Sequence, residues 1–379
     1  MMKLLIIYHA GLSEDAKNIF REYARQGVDV TVIVPSDKYR LQDNEKTFRF
    51  ISVKFKAGFM FLPLFYAIKT VKPDVIQVLD EYSSLYLAKT ILCRNILYGK
   101  KVPVFAYAFQ NVPFMSPTFI FEFSLRAFRR LIYKIGYPLI FWYHNNNVNG
   151  ISGSNKEALL NVKKLNPTIC AKLISWGVDT KKFFPKNREA CREKLGIQKE
   201  VKLLGYFGRM LEEKGLDTLL SATHKTDNYY VMLVGDGDYK DRLVKMADSL
   251  GLQSRVFFHE SVKHSDLVDF YNVLDVFILP SKTTPSWKEQ YGRVLVEAMA
   301  CGLPVIGSFS GAIPEVLKGY PKGFIFNEQD AENLVMQIKK AEAVRFPDHF
   351  NLQDFLYKFS VENFVTEHMK FYQETIHGN

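Results

Sequence analysis

Short, nearly continuous apolar runs recur along the chain, each followed by a longer stretch in which apolar positions return every three or four residues. A run without polar alternation marks a strand covered on both faces. The intervening period marks the covering helices, so the pattern predicts βαβ units and parallel sheets. In the first half the strand-like runs are 3–8, 28–34, 75–79, 102–106 and 150–152. A Phe-rich piece, 48–65, reads as an extra strand followed by a loop. Periodicity breaks at 177–187, where Gly, Pro and several charges cluster. A second series follows, with runs at 202–207, 230–234, 256–259, 276–280, 304–306 and 323–326. The stretch 360–375 alternates aromatic and charged residues at helical spacing. The fold class is therefore α/β, with domains expected at 1–180 and 186–355 and a C-terminal helix at 356–379 expected to cross back to the first domain.

A chain of 379 residues exceeds one ordinary core and suits two domains. A balance of 47% hydrophobic and 24% charged residues excludes disordered and fibrous classes. The opening MMKLLIIYHA has one nearby Lys and no small-residue cleavage pattern, so it reads as a first strand, and a cytoplasmic location is expected. Apolar runs such as 58–68 and 138–143 fall short of the roughly 18 residues that cross a bilayer. Cys93, Cys170, Cys191 and Cys301 have neither CxxC spacing nor a histidine at zinc-site spacing, so reduced, mostly buried thiols are expected. A net charge of +10 favours an anionic partner.

Two segments carry chemistry. Glu289-Gln290-Tyr291-Gly292-Arg293-Val294-Leu295-Val296-Glu297 follows a predicted strand and leads into a helical pattern. If that helix starts near Gly292, its unpaired N–H groups and positive end form a phosphate site, and Gly292 lets the backbone approach closely. Glu289 then precedes the helix, while Glu297 lies more than a turn inside it. Carboxylates so placed can bind different hydroxylated parts of one ligand, with its phosphates between them. The second segment, Gly205-Tyr206-Phe207-Gly208-Arg209 followed by Glu213-Lys214-Gly215, also follows a strand. Arg209 offers a forked donor and Lys214 a point charge, both suited to a pyrophosphate.

With these segments the chain resembles glycosyltransferase family 4, retaining enzymes of the GT-B fold. The resemblance rests on Glu289 and Glu297, on Arg209 with Glu213-Lys214-Gly215, on the AMACGLP run 298–304 and on the GAIPE run 311–315. Gly177-Val178-Asp179, 233–237 and Ser152-Gly153-Ser154 match more weakly. The resemblance implies two Rossmann-like domains whose parallel sheets face across a cleft, and transfer of a sugar from a UDP- or GDP-sugar to a glycan or lipid-linked acceptor. It assigns Glu297 to the ribose hydroxyls, Glu289 to the transferred sugar, and Arg209 and Lys214 to the diphosphate. Gly208 and the backbone of Gln290, Tyr291, Gly292, Arg293 and Val294 would complete the donor site. No metal and no other cofactor is implied. Gly11, Gln110 and Asn111 would position acceptor or sugar. Many family members carry a histidine where Phe109-Gln110-Asn111 stands here, and Gln110 cannot act as a general base. That departure keeps a second reading open, a sugar-nucleotide-binding or membrane-docked partner without catalysis.

Other patterns have simpler explanations. Asp236-Gly237-Asp238 looks like a metal-binding DxD but is also an ordinary turn after a strand. His259 and His264 are five residues apart and would not share a helix face, which excludes a zinc-protease pair. The segment 120–143 sets Arg126, Arg129, Arg130 and Lys134 among Phe and Trp, as an amphipathic helix on an anionic membrane surface does. A core helix with a solvated face is the alternative. The same composition brings nucleic acid to mind, but no RNA or DNA module is present, and none is expected to bind.

Overall fold

The structure is a computed structural model that describes residues 1–8, 13–35, 46–53, 61–80, 82, 84–111 and 138–378. The chain divides into two units, Met1–Gly177 with Val361–Asn379, and Val178–Ser360.

The first unit is built on strands β1 (Lys3–Tyr8), β2 (Asp29–Pro35), β3 (Arg49–Val53), β4 (Val75–Leu79), β5 (Val104–Ala108), β6 (Gly150–Gly153) and β7 (Cys170–Leu173). They form one parallel sheet in the order β3-β2-β1-β4-β5-β6-β7. Its helices are α1 (Glu14–Arg25), α2 (Phe61–Val71), α3 (Leu85–Tyr98), the helical residues 138–145 (α4), and α5 (Lys156–Leu165). Side chains fix where several helices begin: Ser13 accepts from the Ala16 N–H and Asn155 from the Ala158 N–H. Strands β4 and β5 are buried along their whole length, as a doubly covered sheet requires.

A polar network inside this unit ties in the last helix, α14 (Val361–His377). Gln77 of β4 is buried, and its Oε1 accepts from Tyr372 Oη at 2.9 Å; Tyr23 Oη of α1 lies 3.4 Å from that hydroxyl. One turn earlier on α14, His368 Nδ1 meets the Phe364 carbonyl at 2.8 Å and its Nε2 meets Ser152 Oγ at 2.8 Å. The ring therefore carries its proton on Nδ1 and accepts from serine. Phe371 and Tyr372 pack on Phe105, with centroids 5.4 and 4.7 Å apart. Buried polar groups so satisfied hold one register and reject others.

The second unit repeats the plan with β8 (Lys202–Phe207), β9 (Tyr229–Val234), β10 (Val256–His259), β11 (Val276–Leu279), β12 (Val305–Ser308) and β13 (Gly323–Phe326). All pairings are parallel, in the order β10-β9-β8-β11-β12-β13. Its helices are α6 (Arg188–Lys194), α7 (Leu216–His224), α8 (Lys240–Ser249), α9 (Leu267–Asn272), α10 (Arg293–Ala300), α11 (Ile313–Leu317), α12 (Ala331–Ala343) and α13 (Leu352–Tyr357). This is the doubly wound order, in which the chain reverses direction between β8 and β11. Ligands of such sheets sit beyond the carboxyl ends of the strands at that reversal.

Three details differ from the sequence-based expectation. The piece read as a strand and a loop over 48–65 is strand β3 and then, from Phe61, helix α2. Strand β5 starts at Val104, after Pro103, which lacks the N–H a ladder needs. Strand β7 has no apolar run: CAKL is an edge strand with its ends exposed. No described helix is long and apolar enough to cross a membrane.

Candidate donor site at the strand reversal of the second unit

The loops leaving β8 and β11 flank the reversal, and glycines let them pack against their neighbours. Gly215 has φ +64°, and a Cβ there would lie 2.1 Å from the Pro280 carbonyl oxygen. Gly235, just past β9, would place a Cβ 2.0 Å from the Gly208 carbonyl. Gly237 would do the same 2.4 Å from the Met210 carbonyl, which accounts for the glycine of Asp236-Gly237-Asp238 as a tight backbone approach. The Lys282 N–H donates to the Glu213 carbonyl at 2.8 Å, joining the two loops directly.

That junction brings the predicted residues together. Lys214, in a 3₁₀ turn, donates from Nζ to Glu289 Oε2 at 2.8 Å, and Ser281 Oγ donates to the same oxygen at 2.8 Å. The side chains of Lys214 and Glu289 are 14% and 9% exposed, so the pair is nearly removed from water. The indole of Trp287 lies 4.5 Å from the ammonium, a cation–π contact that fixes it from a second side. The Ala312 N–H donates to the Glu289 carbonyl at 2.9 Å and ties the 311–315 run to this loop.

Gly292 is the N-cap of α10 and has φ +78°, so the helix starts where its phosphate-site reading requires. Gln290 and Val294 are half-buried, Tyr291 is buried and Arg293 is exposed. Glu297 lies on α10, buried, with Tyr271 Oη donating to Oε2 at 2.7 Å and His264 Nε2 3.7 Å from Oε1. Burial first, then the neighbouring carboxyl of Glu297, pushes the Tyr271 hydroxyl well above the ordinary tyrosine range, so it stays a donor. Arg209 follows Gly208 at the end of β8 with an exposed side chain, and its carbonyl accepts from Tyr206 Oη at 2.7 Å. Burial, and after it Glu289, keeps the Tyr206 hydroxyl protonated.

Gln110 and Asn111 lie in the first unit, just past β5. Asn155 Nδ2 holds the Phe109 carbonyl at 3.1 Å, and Phe109 packs between Tyr107 and Trp176. Gln110 is half-buried and Asn111 buried. Gly11 and most of 120–143, Arg126, Arg129, Arg130 and Lys134 included, lie outside the described residues. Sequence reasoning missed Ser281, Trp287, Tyr271 and His264. Only Ser281 and Trp287 carried a signal, by adjacency to the predicted strand end and to Glu289.

Two doubly wound parallel units, the second with a carboxylate and ammonium across its strand reversal, define a GT-B fold. Solved structures share it over nearly the whole chain. Sucrose-phosphate synthase from Thermosynechococcus elongatus matches with a TM-score of 0.74, 17% identity and full coverage of both chains. HepE from Anabaena, solved in complex with UDP, matches with a TM-score of 0.75 and 18% identity over 99% of this chain and 100% of that one. Its complex with UDP-glucose matches with a TM-score of 0.69. Residues 187–349, within the second unit, match the model of the family described as glycosyl transferases group 1. The D-inositol 3-phosphate glycosyltransferase of Mycolicibacterium smegmatis is 32% identical over 159 residues, 41% of this chain and 36% of the relative. The chain thus spans little more than a third of the length of that curated relative.

Proposed function

We propose that the protein is a retaining glycosyltransferase of family 4 type, which moves a sugar from a UDP- or GDP-sugar to a hydroxyl of a glycan or lipid-linked acceptor. The observation that carries this reading is the Lys214–Glu289 contact at the strand reversal, with Ser281 and Trp287 holding it and Glu297 fixed on the next helix. In this reading Glu297 receives the ribose hydroxyls and Glu289 the transferred sugar. The amides at the start of α10 meet the phosphate oxygens. Lys214 is positioned by Glu289 and Trp287 before the donor arrives, so charge growing on the departing diphosphate meets an ammonium that needs no reorganisation. Arg209, exposed at the end of β8, adds a forked donor. Gln110 and Asn111 position acceptor or sugar, and no metal or other cofactor takes part.

A membrane-bound acceptor fits a further feature of the first unit. Leu62 and Tyr66 on α2, Leu85 and Ile96 on α3, and Leu139 and Trp142 on α4 are all 59% or more exposed. Helices α3 and α4 are joined through Asn95 and Tyr143 at 3.2 Å. With Lys69, Lys72 and Lys100 also exposed, this is the composition of a face that rests on anionic lipid, on the cytoplasmic side.

The test is a thermal-shift series with UDP, GDP and their sugars, followed by product analysis with saccharide acceptors. One nucleotide should raise the melting temperature by several degrees, and Glu297→Ala should abolish the shift. Absence of a shift with every nucleotide overturns the donor-site reading. Binding without transfer or donor hydrolysis would instead favour the non-catalytic partner, the reading that Gln110 supports.

A further inference from the structure

At the opposite end of the strands of the second sheet, where β8, β11 and β12 begin, lies a cavity of about 580 Å³. Its wall carries five cations, Lys186, Arg188, Lys202, Lys322 and Arg345, and two carboxylates, Asp275 and Glu342.

Both carboxylates are already engaged. Asp275 is bound by Arg188 and Arg192 and accepts from the Leu203 N–H at 2.7 Å. Glu342 accepts from Lys202 and from Tyr229 Oη, both at 2.5 Å. Lys186 is spent on Asp269 at 2.6 Å. Lys322 and Arg345 differ from these. Lys322 Nζ donates to the Gly302 carbonyl at 3.0 Å and lies 3.8 Å from the Phe346 ring centroid, while Arg345 Nη1 donates to the carbonyls of Glu342 and Val344.

The Glu342 and Val344 carbonyls end α12 and the Gly302 carbonyl lies two residues past α10, and a helix end offers only about half a negative charge. Roughly one positive charge is therefore left over on the cavity wall. Burial, and then Arg345 itself, lowers the Lys322 pKa, so the two cations repel each other. Leu274, Leu303 and Val344 supply apolar wall.

We propose that this cavity binds a small phosphomonoester with a hydroxylated body, its phosphate held between Lys322 and Arg345. A dianion between them relieves their repulsion, and the Arg345 fork suits two phosphate oxygens. The volume lies within the range of small-molecule pockets and exceeds what a bare phosphate ion needs, which leaves room for the body. Free oxygen lone pairs of Asp275 and Glu342 then accept from its hydroxyls. The site lies at the amino ends of the strands, whereas the donor site lies at their carboxyl ends, so the two can be occupied together.

Calorimetric titration of the full chain with glucose 6-phosphate, glucose and inorganic phosphate tests this, each run with and without saturating UDP. Glucose 6-phosphate should bind in both conditions, glucose should give no heat, and inorganic phosphate should bind more weakly. Arg345→Gln, at an exposed position, should weaken glucose 6-phosphate binding at least about tenfold through loss of its charge-assisted hydrogen bonds, and leave UDP binding unchanged. Lys322→Met, which keeps the stem over Phe346, should do the same. No heat with glucose 6-phosphate, heat that UDP abolishes, or variants that bind glucose 6-phosphate as tightly as the wild type overturns the proposal. The readout does not depend on sugar transfer, so failure of the transferase reading leaves it intact.

Discussion

Acid should loosen the first unit through two buried histidines. Burial lowers the pKa of His368 from 6.5 to about 4, although its bond to the Phe364 carbonyl opposes the shift. Burial likewise lowers His144 on α4 to about 4, against its 2.7 Å bond to the Tyr82 carbonyl. Between pH 6.5 and 4 the unfolded chain takes up protons that the folded chain refuses. Stability present above pH 6.5 therefore falls as the pH drops through this window, and the loss is complete near pH 4. At about 1.4 kcal/mol per unit, each ring accounts for about 3 kcal/mol, a large part of the stability of a domain. The assay is urea denaturation from pH 7 to 4.5, followed by the fluorescence of Trp142 and Trp176 in a Trp287→Phe background, which silences the second unit. His368→Gln stays neutral throughout and should remove about half of the pH slope. A wild-type midpoint that stays flat from pH 6.5 to 4.5, or a variant slope equal to that of the wild type, refutes the reasoning.

Three further outcomes follow from the second unit and the exposed helices. Tyr271→Phe leaves a buried carboxylate oxygen without its 2.7 Å donor and should weaken UDP binding by about 1.5–3 kcal/mol, measured by calorimetry. Gly215→Ala must place a Cβ against the Pro280 carbonyl at φ +64°, so it should cost about 1–3 kcal/mol in thermal unfolding and weaken nucleotide binding as the two loops separate. Replacing Leu139 and Trp142 with Ser should release the protein from sedimenting anionic vesicles while its melting temperature holds, since both side chains already face solvent.

What the sequence could and could not reveal follows from where each element is buried. Strands β8, β9, β11 and β12 lie inside a doubly covered sheet and read as unbroken apolar runs, so their places were legible. Strand β7 was invisible because an exposed edge needs no such run. Helix α2 was misread for a related reason: Leu64, Ala67 and Ile68 face inward, but Leu62 and Tyr66 on the outer side are apolar too, and the helical period vanishes. In the site, Lys214, Glu289 and Glu297 were legible because each sits at a fixed offset from a strand end. Tyr271, 26 residues before Glu297 in the chain, has no local sign of its role.

Helix α14 also bears on how the molecule is made. Its side chains complete the interior around Gln77, Phe105 and Ser152, yet it is synthesised after the entire second unit. A ribosome therefore releases Val178–Ser360 with all of its strands before the first unit can close. Until Val361–His377 emerges, the nascent first unit holds an open apolar groove, and this is the interval in which a chaperone would be needed.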